Sequence, residues 1–293
     1  MSQPETNDGV SQQSTSDGRG QQGESALRGT AQSRRSLTAW VRLFYAVLHK
    51  RAILLVRYPI DTIGSFAGVY IFFVLIFYGG RAVAGPALDD SLGGIIVGYF
   101  LATMGITAYQ ELANTVTDEA QWGTLEQLYM SPLGFGAVML AESIVHVLVS
   151  FFWGAVILAL MLLTTGQTVT INLLTVLPLI TLATLSALGF GFVFAGGAVL
   201  FKRISNVFSA MTFVLLAFTA APVGQYPALK ALPLAQGSYL LRQAMNDGVS
   251  LWALPPGELA ILAGVAAAYL AVGYTVFALA TRRARQIGVL GHY

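Results

Sequence analysis

The chain has 293 residues, of which 55% are hydrophobic and only 10% charged, with a formal net charge of +2. An ordinary soluble domain carries about 25% charged residues, so a chain this apolar could not cover its own surface with polar groups, and a lipid-facing surface follows. So small a net charge gives no footing for nucleic-acid binding, and the absence of cysteine excludes disulfides, iron–sulfur clusters and thiolate zinc sites.

Residues 1–35 are rich in Ser, Gln, Gly, Asp and Arg and contain no aromatic residue. Such a stretch cannot bury enough apolar surface to offset the entropy of ordering, which predicts a disordered, solvated tail. It lacks the apolar core and small-residue cleavage site of a signal peptide. From Ser36 to Tyr58 the pattern changes. Trp40, Leu43, Phe44, Val47, Leu48, Leu54 and Leu55 recur at helical spacing, and Arg42, His49, Lys50, Arg51 and Arg57 add positive charge. This predicts an amphipathic helix lying in the membrane interface with its bases near lipid head groups, ended by Pro59.

Charges then punctuate the apolar runs. Nineteen uncharged residues separate Asp61 from Arg81, and 20 separate Asp90 from Glu111. At about 1.5 Å of rise per residue each run is long enough to cross a hydrocarbon core of about 30 Å. The 59 residues from Ser143 to Phe201 contain no Asp, Glu, Lys or Arg, and the polar break 164–168 divides them into two spans. Further uncharged runs reach from Ile204 to Leu229, broken by Pro222 and Gly224, and from Leu259 to Thr281. The expectation is an all-α integral membrane protein of six spans, near 61–80, 91–112, 139–164, 173–200, 204–223 and 258–281.

An even number of spans puts both termini on one side. That side holds Arg42, Lys50, Arg51, Arg57, Lys202, Arg203, Arg282, Arg283 and Arg285, against Arg81, Lys230 and Arg242 opposite, so both termini are expected in the cytoplasm. One cytoplasmic segment breaks the trend: Glu111 to Glu142 carries five acidic residues and no Lys or Arg.

Within that segment Gly123 interrupts a helical pattern. Leu125, Leu128 and Tyr129 form a short apolar face, and Ser131-Pro132-Leu133-Gly134 closes it. A short helix held between two spans can insert into a groove on a soluble partner, or merely pack on its own subunit. The outer segment from Gly224 to Gly257, with Pro227, Pro233, Pro255 and Pro256, predicts short broken helices folding back into the outer leaflet.

The loop Gly123-Thr124-Leu125-Glu126-Gln127-Leu128, followed by Ser131-Pro132, resembles the signature cytoplasmic loop of type-2 ABC transporter permeases. The interfacial helix, the six spans and the proline-containing re-entrant segment before the last span resemble the same family, over roughly residues 36–285, leaving 286–293 as a cytoplasmic tail. At the start of the loop the chain departs from the family's common basic or mixed charge, with Asp118, Glu119 and Gln121-Trp122. The resemblance implies a permease subunit in the plasma membrane, paired with a second copy as a homodimer and with two separate ATPase subunits that use ATP. It also implies export. The loop residues Glu119, Gly123, Thr124, Glu126, Gln127, Leu128, Ser131 and Pro132 would couple to the ATPase. The chain itself is expected to bind no cofactor and to catalyse nothing: none of its three lysines stands in the glycine spacing of a phosphate-binding loop.

Other features keep two readings. Tyr99, Thr103, Thr107 and Tyr109 give the second span a polar side that fits either a substrate path or interhelical hydrogen bonding. Gly64 with Gly68, and Gly94 with Gly98, fit either a dimer seam or packing within one subunit. A secondary transporter or channel needs ionisable groups inside the membrane. Asp61, Glu111, Glu142 and Glu258 are expected at helix ends, which leaves His146 as the ionisable residue within a span. The substrate is not legible; a drug, a lipid or a lipid-linked glycan fits.

Overall fold

The computed structural model describes residues 38–84, 92–122, 124, 127–128, 130–131, 134–200 and 205–287. The N-terminal tail, together with Gly123, Glu126 and Pro132 of the loop, lies outside the described residues. Two compact units are present, Met1–Ala46 and Val47–Tyr293. The site below lies wholly within the second.

Every regular element among the described residues is helical. Helix α1 covers residues 38–57 and ends where Pro59 removes a backbone donor. There follow α2 (Pro59–Ala84), α3 (Leu92–Gln121), α4 (Phe135–Thr165), α5 (Leu173–Leu200), α6 (Ser205–Thr219), α7 (Ala235–Asn246) and α8 (Pro256–Ile287). Five of them, α2, α3, α4, α5 and α8, are long and apolar enough to cross a membrane. The chain is therefore an all-α, multi-pass membrane protein. At about 1.5 Å per residue α6 is only about 22 Å long, less than the hydrocarbon thickness.

The reason α6 stops early lies in α7. The run expected to continue to residue 223 turns after Thr219, whose carbonyl oxygen accepts hydrogen bonds from Ser238 Oγ at 2.7 Å and Arg242 Nη2 at 2.8 Å. Two side chains of α7 thus satisfy a helix terminus that would otherwise be costly away from water. The short, broken helices expected between Gly224 and Gly257 are present: 3-10 turns at Pro227–Ala231 and Leu251–Ala253 flank α7. Lys230 and Gln236 both donate to Glu258, at 2.5 and 2.7 Å, and tie the segment to the start of α8.

Helix α5 packs most extensively against α8 and α3. Glycine makes the first of these crossings possible. A Cβ on Gly189 would collide with the backbone of Tyr269 and Leu270, and one on Gly273 with the backbone of Gly189. The glycine pairs singled out by spacing behave otherwise. Nothing stands within 4 Å of a Cβ built on Gly64 or Gly68, while Gly94 and Gly98 pack against Arg242. Helix α3 is central and mostly buried, whereas α2 is peripheral and mostly exposed. A weakly packed α2 leaves an open groove along α3.

Both acidic helix boundaries shift. Helix α3 continues to Gln121 and α4 begins at Phe135, so Glu111 and Glu142 lie inside helices and not at their ends. Partners on α1, described next, make those positions tolerable.

Candidate functional site

Helical spacing lines up Glu111, Thr115, Asp118 and Glu119 along one side of α3, with Trp122 in the turn just past its end, and Glu142 and His146 along α4. Lys50 and Arg51 of α1 reach into this set. Lys50 Nζ lies 2.8 Å from Glu119 Oε1 and 3.4 Å from Glu142 Oε1, and Arg51 Nη2 lies 2.5 Å from Glu111 Oε1. The interfacial reading assigned these two bases to lipid head groups. Their partners are instead carboxylates of the same chain, which face them because an acid-rich segment without bases of its own needs compensation. Burial weighs against the Lys50 charge, but the hydrogen bond to Glu119 and the nearby Glu142 outweigh it, so the Lys50 pKa is raised.

His146 completes the junction. Its Nε2 is 3.2 Å from Thr115 Oγ1 and 3.6 Å from Glu142 Oε2, and its Nδ1 is 3.9 Å from Glu111 Oε2. The ring is 2% exposed, and Nδ1 has no hydrogen-bond partner among the described residues. A cavity of about 70 Å³ lies among these side chains, large enough for a water molecule or two. Two cations here face the four carboxylates of Glu111, Asp118, Glu119 and Glu142, so the junction carries an acidic excess. No group of three or more His, Asp or Glu side chains placed to hold a metal ion occurs among the described residues.

The loop after α3 hangs from this junction. Thr124 Oγ1 donates to Glu119 Oε2, and the Thr124 amide donates to the Glu119 carbonyl at 3.0 Å. The amides of Gln127 and Leu128 donate back to the Thr124 carbonyl, starting a helical turn. Gln127 is exposed, and Thr124, Leu128 and Ser131 are half-buried. The turn closes at Gly134, whose φ of 80° and ψ of 157° are open to glycine and strained for other residues. Glu119, grouped with the coupling residues by sequence, is buried and engaged within the chain. It holds the loop through Thr124.

The polar side of α3 resolves into two parts. Tyr99, Thr103 and Thr107 stand one above another and line a groove cavity of about 320 Å³ between α2, α3 and α6. Tyr99 donates to the Val69 carbonyl on α2 at 2.6 Å, while Thr103 and Thr107 donate back along their own helix. One turn further, Gln110 Nε2 reaches Thr212 Oγ1 on α6 at 2.7 Å. A second cavity, of about 500 Å³, continues towards α1 and shares Val69, Thr107 and Gln110 with the first. Tyr109 is not part of this groove. It is fully buried, its hydroxyl donates to the Phe208 carbonyl at 3.0 Å, and its ring meets Phe194 and Phe208 edge-on.

Sequence reasoning missed Gln110, Asn114, Trp153 and the Lys50–Glu119–Glu142 bridge. The repeats Glu111-Thr115-Glu119 and Glu142-His146 at four-residue spacing carried part of the signal, and the absence of bases between Glu111 and Glu142 carried the rest. No known protein-family model matches the chain, and no match appears among curated protein sequences.

Proposed function

We propose that the chain is the transmembrane subunit of an ATP-binding-cassette exporter, acting with a second copy of itself and with two separate ATPase subunits. The observation that carries this reading is the junction at the end of α3. A basic helix and two long helices are fastened there by ion pairs, and the intervening loop by hydrogen bonds from Thr124 to Glu119, so force applied to the loop reaches α3 and the groove beside it. Gln127 at the exposed turn, with the half-buried Leu128, would meet the ATPase; Thr124 and Glu119 would hold the turn at its angle; the Tyr99–Thr103–Thr107 face would line the path. On this reading α6 and the segment up to α8 together make the sixth crossing, α7 re-enters the outer leaflet, both termini are cytoplasmic, and the membrane is the plasma membrane. The chain is then no enzyme and holds no cofactor; ATP is bound and hydrolysed on the partner.

Affinity purification from the native membrane in mild detergent tests this. Recovery of a phosphate-loop ATPase at one copy per permease is expected, and its loss in Gln127→Lys/Leu128→Asp is expected with it. Recovery of the chain alone, inert towards ATP, would refute the reading.

One observation favours a second reading, a proton-coupled carrier. His146 sits inside a span between Glu111 and Glu142, as an intramembrane proton relay would. Solute uptake by liposomes holding the chain alone, driven by a pH gradient and abolished in His146→Phe, would establish it over the first.

A further inference from the structure

Three features of the groove bear on what it carries. Its two cavities, about 320 and 500 Å³, are joined through Val69, Thr107 and Gln110, so an elongated molecule can lie along α3. The end near Tyr99 is walled mainly by apolar side chains such as Phe72, Ile106, Phe213 and Leu216. The end near α1 is different: Tyr58 and Trp122 line it with Asp118, while Phe66 and Trp153, stacked with ring centroids 3.8 Å apart, line the stretch where α2 meets α4.

The charge at that end is unbalanced. Arg51 is taken up by Glu111 at 2.5 Å, and Lys50 by Glu119 and Glu142. Asp118 is exposed, and its carboxylate has no hydrogen-bond or ion-pair partner among the described residues. An anion on the wall of a low-dielectric groove attracts cations and repels anions. Aromatic faces reinforce that choice for an organic cation, whose positive charge is stabilised over a ring, and cost a small, strongly hydrated ion its water.

We propose that the groove binds amphipathic organic cations, with the charged head at Asp118 among Trp122 and Tyr58 and the apolar body along α3 towards Tyr99. This deepens the transport reading and rests on it for its physiological meaning, but binding is a property of the chain alone.

The test uses the full chain in phosphatidylcholine nanodiscs and two probes of one shape and opposite charge, tetraphenylphosphonium and tetraphenylborate. Protein-dependent binding is measured at equilibrium, with empty nanodiscs subtracted. The cation should bind at least tenfold more tightly than the anion. Asp118→Asn should weaken the cation about five- to tenfold. Thr107→Phe, which fills the junction of the two cavities without altering charge, should weaken it as much. Asp247→Asn, exposed at the far end of α7, should change nothing. Equal binding of the two ions, or cation binding indifferent to both groove variants, would overturn the proposal. Should Asp118→Asn fail to fold, the comparison of ions on the unaltered chain and the Thr107→Phe result decide. Cation preference without a co-purifying ATPase would remove only the transporter reading. A co-purifying ATPase without cation preference would remove only this proposal.

Discussion

Lys50→Met is the sharpest probe of the junction. The substitution keeps a long apolar stem but deletes the ammonium between Glu119 and Glu142, whose side chains are 9% and 8% exposed. Removing one partner of a buried pair costs roughly 3–5 kcal/mol, because the remaining charge stays desolvated. Lys50 is itself 42% exposed, so solvent screens part of the interaction and a discounted loss of about 1–2 kcal/mol is expected. At roughly 2–4 °C per kcal/mol for a chain of this size, the melting temperature in detergent should fall by about 2–8 °C. The decisive comparison is Lys50→Met/Glu119→Gln, which removes an uncompensated charge together with its partner and should recover about half of the loss. A Lys50→Met protein that melts within about 1 °C of the parent, or a double variant as unstable as the two single losses added, would refute the argument that this bridge fastens α1 to α3 and α4.

Four further outcomes follow from other contacts. Because its pKa is raised above 10.5, the Lys50 contribution is fully present below that value and lost as pH rises through the raised one; the melting gap between parent and Lys50→Met should stay constant over about pH 7–9 and close above 10.5. Gly189→Ala and Gly273→Ala should each destabilise by about 1–3 kcal/mol, since backbone stands where the methyl group would go, whereas Gly64→Ala and Gly68→Ala should stay within about 0.5 kcal/mol in the same thermal assay. Ser186→Ala removes the acceptor for the buried Leu234 amide at 3.1 Å and should cost about 1–3 kcal/mol, read as lower thermal stability with α7 exchanging its amide hydrogens first. On the proposed transporter reading, Thr124→Val, which removes the hydroxyl that binds Glu119, should lower stimulation of the partner ATPase several-fold with the melting temperature of the spans unchanged; equal stimulation would show that the loop angle does not matter.

Which parts of this architecture were legible in the sequence follows from the range of the forces involved. Hydrophobic length is a local property, so the apolar runs at 61–80, 139–164, 173–200 and 258–281 each correspond to a helix, and Pro59 and the prolines of the outer segment break the chain where they stand. Helix ends depend on partners far away. Charge alone predicts that α3 stops near 112, but Arg51 and Lys50 neutralise Glu111 and Glu119 and let the helix run on to Gln121. The same limit governs α6, whose early end at Thr219 is set by two side chains about 20 residues downstream.

Small-residue spacing shows the same boundary between local and distant causes. Gly64 with Gly68 has the four-residue period of a close helix contact, yet open space faces both within this chain. The tightest crossing joins Gly189 to Gly273, one glycine on each of two helices, and no periodicity within either helix announces it. Tyr99 and Tyr109 differ for a related reason: ten residues apart on one helix, they point about 80° away from a common face, so one lines the groove and the other is sealed against α6.

The acid-rich segment from Glu111 to Glu142 shows where counting charges stops being informative. By the rule for lysine and arginine it is an anomaly, a segment beside the basic end of the bundle with no base of its own. In three dimensions it is the counterpart of α1: Arg51 pairs with Glu111, Lys50 bridges Glu119 and Glu142, and Asp118 is left without a cation of its own, so two bases face four acids. The surplus charge that looks like noise in the sequence is therefore the feature that gives the groove its electrostatic sign.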